Sequence, residues 1–69
     1  MTSDSLRLAD CATLRPGDLV EVQETGHVPC RGVVEDTLPQ FNIVWLRDKR
    51  TGERRMLFTT ECRIFMQET

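Results

Sequence analysis

The chain contains no tyrosine, one histidine (His27) and one tryptophan (Trp45). It has no apolar run approaching the ~20 residues needed to span a bilayer. The longest, Ile43-Val44-Trp45-Leu46, has the length of a strand. Its start, Met1-Thr2-Ser3-Asp4-Ser5, lacks the basic-then-apolar order of a secretory signal. Three cysteines, Cys11, Cys30 and Cys62, are odd in number and widely spaced, which excludes a disulfide framework and suits reduced thiols packing as small hydrophobes. No helical periodicity of useful length, internal repeat or low-complexity tract is present. Four glycines stand apart at 17, 26, 32 and 52, so there is no glycine-rich phosphate cradle. These absences lead us to expect an intracellular protein with no membrane contact.

Chemistry is scarce as well. His27 lies in a loop, and no Ser-His-Asp or Cys-His spacing can be read around it. His27 and Cys30 are three apart, but structural zinc normally takes paired close-spaced ligands, and here there is at most one such pair. With 69 residues the chain forms one domain with one small core, and folds near this size bury only roughly 60% of their unfolded surface. That leaves little room to enclose and dehydrate a substrate. The expectation is a protein that is not an enzyme, with no cofactor, no metal and no small-molecule substrate.

What is present is a series of short extended segments. Arg15-Pro16-Gly17-Asp18 is a turn, with Pro fixing φ and Gly tolerating φ > 0. It delivers Leu19–Gln23, where Val20 and Val22 alternate with Glu21 and Gln23. Cys30–Glu35 reads as a second strand, with Gly32 marking a bulge or a close backbone approach. A loop is expected over Asp36–Gln40. Phe41–Arg47 reads as a central third strand with Phe41, Ile43 and Trp45 on one face, and Asn42, Val44 and Leu46 on the other. Asp48–Glu53 is a polar hairpin loop, Arg54–Thr59 a fourth strand, Thr60–Cys62 a turn and Arg63–Met66 a short fifth strand. Phe41, Phe58 and Phe65 are assigned to the core. Leu6–Leu8 is a short strand or a loose turn, and Ala9–Leu14 is left irregular. The expected organisation is a partly disordered lead-in over residues 1–14, a domain over 15–66 and a tail over 67–69.

Turn-separated strands of this length predict an all-β fold, a small five-stranded barrel. Gly17-Asp18-Leu19-Val20-Glu21-Val22 resembles the opening of a Tudor or other SH3-like domain. Arg31-Gly32-Val33-Val34-Glu35 resembles its second strand and Asn42-Ile43-Val44-Trp45-Leu46 its third. The resemblance covers about residues 15–66, and Leu19–Val34 also resembles a KOW motif. It implies a non-catalytic module, nuclear if the source is eukaryotic and otherwise cytoplasmic, that recognises a peptide, or a chromatin or transcription partner, through the barrel rim. Tudor domains hold methylated cations in aromatic cages. The matching positions here are Glu24, Pro29, Trp45 and Asp48, of which only Trp45 is aromatic, so the cage is degenerate. His27, in the adjoining loop, completes the candidate ligand-binding set.

Net charge is −2, yet Arg47, Lys49, Arg50, Arg54 and Arg55 crowd into one hairpin. That hairpin is the candidate contact for DNA or RNA. A solvated hairpin that protects a sheet edge is the plainer reading. A protein or peptide partner therefore ranks first and nucleic acid second. A structural subunit of a larger complex ranks third.

Overall fold

The computed structural model describes residues 5–68, so Met1–Asp4 of the expected lead-in and Thr69 of the expected tail lie outside it. The fold is all-β. Six strands, β1 (Ser5–Leu8), β2 (Leu19–Gln23), β3 (Cys30–Leu38), β4 (Ile43–Asp48), β5 (Arg54–Phe58) and β6 (Arg63–Glu68), form one antiparallel sheet in the order β1-β6-β2-β3-β4-β5. Among the described residues no ladder joins β5 back to β1, so the sheet is not closed into a barrel. The sixth strand, beyond the five expected, is β1, which pairs Leu8 with Phe65 and Arg7 with Met66.

The turn chemistry acts as the sequence implies. Gly17 takes φ +97°, the Asp18 carboxylate accepts the Arg15 amide at 2.9 Å, and Gly17 N donates to the Val34 carbonyl at 2.8 Å. The first turn is thereby tied to the middle of β3. β3 runs through the expected Asp36–Gln40 loop as far as Leu38, with a register shift between Val34 and Asp36. This bulge at Glu35 bends the strand. The first half of β3 pairs with β2, and the strand also pairs with β4 from Gly32 to Leu38. Gly32 marks a close approach, not the bulge. A Cβ built there would lie 2.5 Å from the Arg47 carbonyl oxygen and 2.8 Å from Leu46 Cγ.

The core is small and aliphatic. Val20, Val22, Val34, Val44, Leu46, Leu57 and Ile64 line the concave side of the curled sheet, joined by Cys11 and Leu14. The segment left irregular supplies that cover. A 3₁₀ turn over Cys11–Thr13 buries Cys11, whose thiol donates to the Ile43 carbonyl at 3.3 Å.

The aromatic assignments are corrected. Phe41 belongs to a 3₁₀ turn (Pro39–Phe41), not to a strand, and is 62% exposed. Phe58 is 39% exposed and Phe65 is half-buried. None of the three phenylalanines is in the core, because the concave face of so tight a curl is filled by Val, Leu and Ile.

Candidate functional site

The predicted site residues fall into two groups on different faces. Along β4, alternation sends Val44, Leu46 and Asp48 inward and Ile43, Trp45 and Arg47 outward. Trp45 is therefore on the convex face. Cross-strand pairing puts Met56 beside it and Phe58 beside Ile43. The Arg54 guanidinium lies 4.2 Å from the Trp45 ring centroid, so the cation over this ring comes from the chain itself.

The same face fixes two of the five hairpin cations. Glu35, re-aimed by the β3 bulge, accepts Arg47 Nε at 2.8 Å and Arg54 Nε at 3.0 Å. Arg47 also donates to the Gly52 carbonyl at 2.9 Å. The Arg47 hydrogen bond, with Arg54 adding to it, holds the Glu35 carboxyl below the usual carboxylate range.

Asp48, assigned to ligand binding, is buried and organises the hairpin. Its carboxylate accepts the amides of Arg50 at 2.7 Å and Thr51 at 3.2 Å, and Gly52 N donates to its carbonyl at 2.8 Å. Those backbone donors hold its carboxyl below the ordinary value. Gly52 has φ +76°, which the tight return requires.

The remaining residues converge. The Gly32–Asp48 register stacks the start of β3 on the end of β4, and Lys49 N donates to the Arg31 carbonyl at 3.0 Å. A cleft of about 500 Å³ opens there, lined by Val28, Pro29 and Cys30 on one side and Asp48, Lys49, Arg50 and Arg55 on the other, with Arg31 at its rim. Val28 is 83% exposed. Arg55 crosses the cleft base to the Cys30 sulfur and to Glu24 Oε1, both at 3.3 Å. Arg31 Nε stands 3.5 Å from Glu21. Lys49 and Arg50 have no ion pair among the described residues. His27 is exposed on the same loop, with its amide donating to the Glu24 carbonyl at 3.1 Å.

Pro29 and Asp48 thus meet Lys49, Arg50 and Arg55, while Trp45, Arg47 and Arg54 face away. The predicted site residues did not include Val28, Arg31 or Glu35. An exposed Val beside Pro in a polar loop was the one available sign. Burial raises the thiol pKa of Cys11, Cys30 and Cys62, so all three stay protonated at neutral pH. Among the described residues no group of three or more His, Cys, Asp or Glu is arranged to hold a metal, and no helix is long and apolar enough to cross a membrane. No family profile, curated protein or solved structure matches the chain.

Proposed function

We propose that the chain is a non-catalytic peptide-binding module of Tudor/SH3-like type that takes an acidic segment of a protein partner in the cleft between the β2–β3 loop and the β4–β5 hairpin. The observation that carries this reading is the lining of the cleft. An exposed apolar wall, Val28-Pro29, faces the cations Lys49, Arg50 and Arg55 across about 500 Å³. The one carboxylate on that wall, Asp48, is turned into backbone bonds within the hairpin. A peptide with carboxylates flanking an apolar side chain complements both walls. The fold component of the reading is supported by the order β6-β2-β3-β4-β5 and by the bent β3 shared between neighbours. Protonated thiols and a lone histidine at a loop tip support a role without catalysis.

Nucleic acid is the second reading, and one observation favours it: Lys49 and Arg50 carry no ion pair among the described residues. Against it, Glu35 neutralises Arg47 and Arg54, so the hairpin is not the five-cation track that a phosphate backbone would follow. The test is chemical-shift mapping with a Glu/Asp-rich peptide carrying one Leu, beside its Gln/Asn analogue and a short DNA duplex. Shifts confined to residues 28–31 and 48–55 with the acidic peptide, weakened by Lys49→Ala plus Arg50→Ala, are expected. Equal binding of the Gln/Asn analogue, or tighter binding of the duplex with a steep salt dependence, overturns the peptide reading.

A further inference from the structure

Among the described residues β5 ends the sheet, with β4 on one side only. The ladder fixes which of its backbone groups remain outward. Thr59 N donates to the Asn42 carbonyl and Asp48 N to the Glu53 carbonyl, at 2.9 and 2.8 Å. Directly opposed hydrogen-bonded pairs alternate with non-bonded ones in an antiparallel ladder. Arg55 and Leu57 therefore bond to β4, and Arg54, Met56 and Phe58 turn their backbone groups to the open edge. The Phe58 carbonyl already accepts Glu61 N at 2.9 Å. The side chains of Arg54, Met56 and Phe58 share the convex face, where Met56 is 45% and Phe58 39% exposed.

We propose that this edge pairs antiparallel with β5 of a second copy of the chain, on a two-fold axis at Met56. In that register Met56 opposes Met56, Arg54 opposes Phe58, and Arg55 opposes Leu57. Each Met56 amide reaches the other's carbonyl, and each Phe58 amide reaches the partner's Arg54 carbonyl. No arginine faces an arginine. Parallel in-register pairing, or an axis at Arg54 or Arg55, puts like charges side by side, which destabilises a sheet. Charge thus favours an isologous contact that uses the β5 edge of each copy and closes on itself as a dimer. The convex face then carries an unbroken row, Trp45, Met56, Met56, Trp45, across the axis. The partner's Phe58 lies opposite Arg54, whose guanidinium stays over Trp45 and on Glu35 of its own chain. The inference uses the outer edge of β5, so it stands or falls separately from the peptide cleft.

Sedimentation velocity over a concentration series tests it, using the full chain, Met56→Lys, Met56→Glu and an equimolar mixture of the two variants. The wild type is expected to dimerise. Each variant alone, folded by far-UV circular dichroism, is expected to dissociate about tenfold or more readily, because like charges meet on the axis. The mixture is expected to recover the dimer through a Lys–Glu pair, which a merely destabilised monomer would not do. A wild type that stays monomeric at ~1 mM, variants that remain dimeric, or a mixture that stays monomeric overturns the proposal.

Discussion

β4 has two apolar faces, and they behave oppositely. Its concave face carries Val44 and Leu46, both fully buried, and its convex face carries Ile43 and the much larger Trp45, both only half-buried. Side-chain size alone would reverse that assignment. The difference is one of curvature. Inside a tightly curled sheet the strands' side chains converge, and branched aliphatics fill that space at close packing. On the convex side they diverge, and rings can lie flat over neighbouring strands. The convex side chains consequently keep exposed surface, while the concave aliphatics hold the fold.

The sharpest way to break this contrast is to truncate one residue from each face. Leu46→Ala is expected to cost about 3 kcal/mol in urea unfolding, since its side chain is enclosed and leaves a cavity. Gly32→Ala follows at about 2 kcal/mol, because the added Cβ overlaps the Arg47 carbonyl and Leu46 and forces β3 and β4 apart. Trp45→Ala on the convex face is expected to cost only about 1 kcal/mol, the loss of partial burial and of the Arg54 stacking. Its affinity for the acidic peptide should stay within about twofold of wild type, because Trp45 is not part of the cleft. A Trp45→Ala loss equal to that of Leu46→Ala would mean that the two faces share one core.

These differences mark what the sequence could and could not reveal. The turns at Arg15–Asp18 and Asp48–Glu53 were legible because Pro, Gly and Asp act on their own backbone within three or four residues. The strands were legible because their period is local. The faces of β4 were not, since both alternations are apolar and parity offers no choice; the curl of the whole sheet makes it. The Ala9–Leu14 segment had no period to read because it covers the core as a 3₁₀ turn. The cleft was half legible. Parts of the two predicted sites, Pro29 and Asp48 from one and Lys49, Arg50 and Arg55 from the other, belong to one place, but only the Gly32–Asp48 register brings them together. The bulge that turns Glu35 onto Arg47 and Arg54 likewise depends on long-range pairing, and it removes two of the five cations that looked like one patch.

Acid titration gives the smallest effect and probes the same contrast through one carboxylate per face. Both Glu35 and Asp48 have folded pKa values below their ordinary ones. For such a group the unfolded chain binds the proton more readily. Its stabilising contribution is therefore fully present above the unfolded value, near pH 4, and is lost as pH falls through the folded one. The urea midpoint should accordingly fall on acidification from about pH 5 to pH 3, and Glu35→Gln should flatten part of that slope. Salt separates the two contributions. Glu35 acts through half-exposed arginines, so screening at ~1 M salt should shrink its share. Asp48 acts through amides of its own hairpin on a buried carboxylate, so its share should persist at high salt and vanish in Asp48→Asn. If Glu35→Gln and wild type titrate in parallel at low salt, the convex ion pairs contribute nothing measurable. The two faces would then differ in packing alone.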